Sequence, residues 1–105
     1  MLNIFKKLLG VDNDENLAIL IKNNSFLVDV RTLQEFAEGS AKGAVCIPLD
    51  KIESQLAKFK DKKHIIVFCR SGNRSGQAKS ILNQRGFTNV TNGGTWQNVN
   101  QFVNK

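Results

Sequence analysis

Residues 65–76 read IIVFCRSGNRSG and decide the fold of this chain. Four apolar residues run directly into Cys69, a loop with two arginines and one glycine follows, and a helical pattern then begins. This order predicts that Cys69 lies where a buried strand ends and a helix starts. Backbone N–H groups at a helix N-terminus attract anions, and a thiol held there has its thiolate form stabilised. We therefore interpret the segment as an anion-binding loop that contains a nucleophile.

Short apolar runs alternate with helical patterns on both sides of this loop. Strands are predicted at residues 26–30, 44–47, 65–68 and 87–91. Capping-box spacing predicts three helix starts, at Asp12 with Glu15, Thr32 with Glu35, and Asp50 with Glu53. Gly93 and Gly94 are expected to form a turn before a final helix. The alternation predicts an α/β fold with a central, mainly parallel sheet of four or five short strands, flanked by helices on both faces.

Length and composition are those of one small domain. The chain has 105 residues, 41% of them hydrophobic, and a formal net charge of +6. We expect a single domain at residues 11–105, preceded by a short helix or extension at residues 1–10. That segment is expected to dock on the domain, with a membrane-surface or partner-binding helix as the alternative. The positive charge favours anionic partners, but the basic residues are spread without interleaved aromatics, so nucleic-acid binding is not expected.

The cysteine and histidine content excludes several kinds of site. Cys46, Cys69 and His64 are too few for a disulfide framework or a zinc site, so no metal is expected. No run approaches the roughly 18 apolar residues of a membrane span, and no secretory signal is evident. A cytoplasmic, reducing location is therefore expected, and it would keep the Cys69 thiol available.

Four short motifs resemble those of the single-domain rhodaneses, which are sulfurtransferases. They are Asp29-Val30-Arg31 with Glu35, Phe36 and Gly39; Gly43-Ala44 with Ile47-Pro48-Leu49; the loop Cys69-Arg70-Ser71-Gly72-Asn73-Arg74 with Ser75; and Gly86-Phe87, Val90 and Gly93-Gly94 before Trp96. Their order and spacing, from about residue 17 to residue 96, make the resemblance specific. Two departures are Ser40-Ala41, where the family often has His and Ile, and Cys46, where it commonly has Asn.

The resemblance implies a rhodanese-like fold and a thiosulfate sulfurtransferase that works through a persulfide on Cys69. The thiolate would attack the outer sulfur of a small anionic donor, either thiosulfate or another persulfide. Cyanide, a thiol or a protein acceptor would then take the sulfur and restore the cysteine. No cofactor is implied. A persulfide carrier or binding module that acts with a protein partner is the alternative reading of the same loop.

The residues around Cys69 receive separate roles. We expect the backbone N–H groups of residues 70–75, including those of Ser71 and Asn73, to surround the sulfur, with Gly72 supplying a backbone conformation that lets them converge. Arg70 is expected to grip the donor anion. Arg74 is expected to pair with Glu35 or Asp29 and hold the loop open, while Asp29 and Arg31 serve as scaffold. Ser71 and Ser75 can bond the anion or cap the helix, and capping is favoured for Ser75.

Three further alternatives concern the length of the loop, the His64 imidazole and the Cys46 thiol. The spacing C-x4-R between Cys69 and Arg74 suits a single sulfur atom, whereas cysteine phosphatases use a longer loop, C-x5-R. His64 lies five residues before Cys69, about 16 Å along a strand, so we expect a surface residue and not a catalytic base. Cys46 is expected to be a small buried strand residue, with a resolving thiol as the alternative.

Overall fold

The computed structural model describes residues 14–103. They form a sheet flanked by helices, with the elements in the order α1 (Asp14–Lys22), β1 (Phe26–Asp29), α2 (Leu33–Glu38), β2 (Val45–Cys46), two 3₁₀ helices (Leu49–Lys51 and Glu53–Phe59), β3 (Ile65–Cys69), α3 (Asn73–Gln84), β4 (Val90–Thr95) and α4 (Trp96–Val103). The helix or extension predicted at residues 1–10, and the capping box at Asp12, lie outside the described residues. Among residues 14–103, no helix is both long enough and apolar enough to cross a membrane.

The four strands of the described region form one parallel sheet in the order β2-β1-β3-β4. The predicted α/β architecture is therefore confirmed. Parallel strands need crossover connections, which place helices on the faces of the sheet. The carboxyl ends of all four strands consequently meet at one edge, and Cys69 is the last residue of β3.

Side chains of β3 alternate between two core layers, one on each face of the sheet. Ile65, Val67 and Cys69 face the layer that includes Ala78 and Leu82 of α3. Ile66 and Phe68 face the layer that contains Leu17 of α1 and Val99 of α4. All five β3 residues are buried, since successive side chains point to opposite faces and both faces are covered. This alternation directs the Cys69 thiol toward α3.

The turn predicted at Gly93 and Gly94 is wrong, because both glycines lie within β4. The pairing of β3 with β4 shifts register between Val67 and Cys69, which marks a bulge at this point. A Cβ atom at Gly93 would lie 2.7 Å from a methyl carbon of Val99. A side chain is thus excluded by the close approach of α4, a contact that the local sequence does not reveal.

The predicted capping boxes differ in outcome. Thr32 caps α2, where its hydroxyl accepts from the Glu35 N–H and the Glu35 carboxylate accepts from the Thr32 N–H. The start predicted at Asp50 with Glu53 is wrong. Pro48 precedes a short 3₁₀ helix there without a side-chain cap, and the Glu53 carboxylate pairs with Arg85 instead.

Candidate active site

The Cys69 sulfur lies beneath the N-terminus of α3. Gly72, which precedes this helix, adopts a left-handed conformation with φ of 97°, the conformation expected of a glycine at this point. Its N–H points back at Cys69 Sγ at 3.1 Å, and the Ser75 N–H reaches the same sulfur at 3.4 Å. Ser75 Oγ lies 3.3 Å from Sγ. Three polar groups therefore converge on one fully buried sulfur atom.

The pKa of the Cys69 thiol is below its usual value. Burial by itself raises this pKa, because a charged sulfur loses its hydration. Hydrogen bonds from the Ser75 hydroxyl and from the backbone N–H groups of Ser75, Ser71 and Gly72 lower it and outweigh the burial. The site therefore favours the thiolate, which is the nucleophilic form of cysteine.

The side chains of the loop divide into exposed and buried groups. Arg70, Ser71 and Asn73 are exposed at the mouth of the loop, whereas Ser75 is buried. The capping role favoured for Ser75 is wrong, because the helix begins directly after Gly72 and Ser75 is its third residue. At that position the hydroxyl faces the sulfur instead of the free N–H groups of the first turn.

Asp29 and Arg31 form a buried ion pair at the end of β1. Arg31 Nη2 lies 2.7 Å from Asp29 Oδ2, with 6% and 0% of the two side chains exposed. The guanidinium also donates to the Gly39 carbonyl at 2.6 Å and lies 5.5 Å from the centre of a Trp96 ring. Ser40 Oγ donates to Asp29 Oδ2 at 2.7 Å. The pair thus joins β1, the segment after α2, and α4.

Arg74 pairs with Glu35 and not with Asp29. Its two terminal nitrogens donate to the two carboxylate oxygens of Glu35, at 2.8 and 3.1 Å. The bond from Arg74, followed by the bond from the Thr32 N–H, lowers the pKa of Glu35 from 4.5 to about 2. This two-point contact attaches the first turn of α3 to the start of α2, 39 positions away.

The Arg74–Glu35 pair should make stability depend on acidic pH. The folded-state pKa of Glu35 is lowered, so its contribution is present above the unfolded value of 4.5 and is lost as the pH falls toward 2. Glu35→Gln should therefore be less stable than wild type, by up to about 1 kcal/mol, near neutral pH. The difference should vanish in acid, as measured by urea unfolding across pH, with Glu53→Gln as the exposed control. A gap that stays constant down to the lowest pH would contradict this prediction.

Asn92, Ser40 and Trp96 join these networks although the sequence did not single them out as site residues. Asn92 is fully buried on β4, where its amide accepts from Ser75 Oγ at 2.7 Å and donates to the Gly72 carbonyl at 3.0 Å. One sequence feature could have pointed to it. Asn92 immediately precedes the glycine pair, at the carboxyl end of a predicted strand.

His64 and Cys46 lie apart from the reacting sulfur. His64 precedes β3, at the end opposite Cys69. It is half-buried, and its Nε2 lies 2.7 Å from Thr91 Oγ1. Cys46 is half-buried on β2, with its Sγ 3.5 Å from the Arg31 carbonyl. Burial raises the pKa of the Cys46 thiol. The burial of both residues differs from the expectation, which was an exposed His64 and a buried Cys46. Neither residue lies where it could act as a base for Cys69 or supply a second thiolate.

A cavity of about 480 Å³ borders the loop through Arg74. Its walls are largely apolar and include Val30, Pro48, Leu49 and Ile81. This volume falls in the usual range of small-molecule sites.

Known proteins are similar to this chain in sequence and in fold. The thiosulfate sulfurtransferase PspE of Escherichia coli (strain K12) is 34% identical over 74 residues, which cover 69% of this chain and 71% of the relative. The putative sulfur carrier protein YrkF of Bacillus subtilis (strain 168) is 34% identical over 82 residues, which cover 78% of this chain but only 40% of that protein. A solved structure described as a rhodanese with anions from E. coli has a TM-score of 0.63 and 33% identity, covering 70% of this chain and 88% of that one.

A family model described as the rhodanese-like domain matches residues 12–95. The matched span contains the Cys69 loop, both ion pairs at the carboxyl edge of the sheet, and the glycine pair of β4. Since the match covers most of the chain and agrees with the observed parallel sheet, this protein belongs to the rhodanese-like domain family, as its motifs predicted.

Proposed function

We propose that this protein is a sulfurtransferase that takes sulfane sulfur from thiosulfate, or from another persulfide, and passes it to a thiol or cyanide through Cys69. One observation carries the proposal. At the N-terminus of α3, the Cys69 sulfur accepts hydrogen bonds from the Gly72 N–H at 3.1 Å and from the Ser75 N–H at 3.4 Å. Such donors stabilise an anionic sulfur before the reaction starts and need no rearrangement during it.

The reaction has two steps. In the first, the Cys69 thiolate attacks the outer sulfur of thiosulfate, the S–S bond of the donor breaks, and sulfite leaves with the bonding electron pair. In the second, a thiolate or cyanide attacks the outer sulfur of the persulfide and Cys69 leaves as a thiolate. The enzyme is restored without an external oxidant or reductant. Partial positive charge at the start of α3 favours the anionic sulfur at each stage.

Likeness to a protein named a putative sulfur carrier supports a second candidate function. In that case Cys69 would hold the sulfur for a protein acceptor and turn over poorly with small thiols. The exposed positions of Arg70, Ser71 and Asn73 around the loop leave it open to a partner as well as to a small molecule.

Mass spectrometry after exposure to thiosulfate tests the proposal. We expect the protein to gain the mass of one sulfur atom on the peptide that contains Cys69 and to lose it on addition of cyanide. Many turnovers with thiosulfate and cyanide identify an enzyme, whereas one stoichiometric transfer without turnover identifies a carrier. No gain of sulfur on Cys69 from thiosulfate or from a small-molecule persulfide would overturn both readings.

Arg70 and Arg74 should differ in what their removal costs. Arg70 is exposed at the loop mouth, while Arg74 is bound to Glu35, so Arg70 is the arginine available for the donor anion. Arg70→Ala should raise KM for thiosulfate several-fold, up to about tenfold, because a charge-assisted contact is lost. Arg74→Ala should change KM less and lower stability more. Steady-state kinetics and thermal melts on both variants, with Arg70→Lys as the charge-preserving control, would reverse the assignment if the effects were exchanged.

A further inference from the structure

Ser75 and Asn92 form a hydrogen-bonded pair directly behind the Cys69 sulfur. Ser75 Oγ lies 2.7 Å from Asn92 Oδ1 and 3.3 Å from Cys69 Sγ, and all three residues are fully buried. A hydroxyl group has a single proton to donate. The Ser75 proton therefore has two neighbouring acceptors, the amide oxygen and the sulfur.

Backbone groups on either side determine the orientation of the Asn92 amide. Its Nδ2 donates to the Gly72 carbonyl at 3.0 Å, and its Oδ1 accepts from the Gly94 N–H at 3.0 Å. Exchanging the nitrogen and oxygen would set oxygen against oxygen and N–H against N–H, which is unfavourable. Oδ1 thus faces Ser75, and since an amide oxygen only accepts, the hydroxyl donates to Asn92 in the observed arrangement.

The hydrogen bond between Ser75 Oγ and the sulfur reverses its direction between the two protonation states of Cys69. With the Ser75 proton directed at Asn92, a Cys69 thiol donates its own proton to Ser75 Oγ. When the thiol ionises, that proton leaves to solvent and the S–H electron pair stays on sulfur. The hydroxyl must then rotate and donate to the thiolate, because an oxygen lone pair facing a negative sulfur is repulsive. Asn92 Oδ1 keeps the Gly94 N–H as its donor.

We propose that Asn92 is a positioning residue for the reacting sulfur. Its amide oxygen accepts a hydrogen bond from the Ser75 hydroxyl while Cys69 is a thiol, and the hydroxyl turns to donate to Sγ when the thiolate forms. The inference rests on the proposed function, in which the thiolate attacks the donor. In the persulfide the negative charge lies on the outer sulfur, so the hydroxyl returns to Asn92. Through the Gly72 carbonyl, Asn92 also holds the glycine whose N–H contacts Sγ.

A double-mutant cycle with Asn92→Ala and Ser75→Ala tests this role. The readout is the ultraviolet absorbance of the Cys69 thiolate against pH, after subtraction of the trace of Cys69→Ser, which retains Cys46. Loss of the Ser75–Asn92 hydrogen bond destabilises the thiol state, whereas the effect of Asn92 on Gly72 is present with or without Ser75 and cancels in the cycle. Relative to its parent protein, Asn92→Ala should therefore shift the Cys69 midpoint downward by roughly half a pH unit more when Ser75 is present than in the Ser75→Ala background. Equal shifts in the two backgrounds, or a Ser75-dependent shift upward, would overturn the proposal.

Asn92→Asp provides a second variant of nearly unchanged size, which replaces Asn92→Ala in the cycle if that protein does not fold. A carboxylate holds the hydroxyl proton more firmly, so its Ser75-dependent shift should be upward. An upward shift of equal size in the Ser75→Ala background would show that the introduced carboxylate acts only as a nearby charge, and it would overturn the proposal. Asn98→Ala is the control. It removes a side-chain amide hydrogen bond of 3.0 Å to the carbonyl of Gly93, which lies on the same strand as Asn92, and it should leave the midpoint unchanged. The titration contains no sulfur donor, so its result does not depend on whether the protein accepts thiosulfate.

Discussion

Cys69→Ser is expected to abolish sulfur transfer and to leave the fold intact. A serine hydroxyl stays protonated at the pH where this thiolate forms, so it is a poor nucleophile toward the donor. Without the cysteine sulfur no persulfide can form, and the acceptor has no outer sulfur to attack. Serine differs from cysteine only in its γ atom, so the position keeps its packing and still presents a polar atom toward the Gly72 and Ser75 N–H groups. Activity should fall below detection, while the thermal melt stays close to that of wild type.

Cys46→Ser is the matched control for this substitution. Cys46 is the other cysteine of the chain, half-buried on β2, and burial raises its pKa. We expect Cys46→Ser to gain one sulfur from thiosulfate and to turn over as wild type does. Sulfur transfer that persists in Cys69→Ser and disappears in Cys46→Ser would show that Cys46 carries the sulfur and would refute the assignment to Cys69.

Arg31→Met is expected to produce the largest loss of stability. Asp29 is fully buried, and Arg31 neutralises it through two nitrogen donors while also binding the Gly39 carbonyl. Methionine fills much of the space but leaves a carboxylate in the interior without its counter-charge. Breaking a buried pair in this way costs about 3–5 kcal/mol. Since whole domains are stable by about 5–15 kcal/mol, urea unfolding should show a clear shift of the midpoint.

Two variants test the cause of this loss. Arg85→Met breaks the exposed pair with Glu53, whose side chains are 52% and 56% exposed, and should cost about 0–1 kcal/mol. Adding Asp29→Asn to Arg31→Met removes the stranded charge and should recover part of the stability. If Arg31→Met cost no more than Arg85→Met, the pair would not be the scaffold that its burial indicates.

Interactions between near neighbours in the chain were the ones that the sequence predicted well. The capping box of Thr32 with Glu35 spans three positions and forms as expected. The apolar run before Cys69 becomes a fully buried strand, and Gly72 takes the left-handed conformation before α3. Asp50 with Glu53 shows the limit of such patterns. The same spacing forms no cap there, because a 3₁₀ helix starts directly after Pro48 and Asp50 already lies inside it, while Glu53 pairs with Arg85, a residue distant in sequence.

The sequence by itself determined the order of strand, loop and helix around Cys69, because short-range sterics and hydrogen bonds impose that order. Only the tertiary structure decided which groups surround the sulfur. It made Glu35, and not Asp29, the partner of Arg74, and it placed the Ser75 hydroxyl beside Sγ. It also placed Asn92, which pairs with Val67 of β3, within hydrogen-bond distance of Ser75. These contacts depend on how β1, β3, β4 and α3 meet at one edge of the sheet. Residues far apart in the chain become neighbours there because the four strands that the structure describes are parallel and their carboxyl ends lie at the same edge.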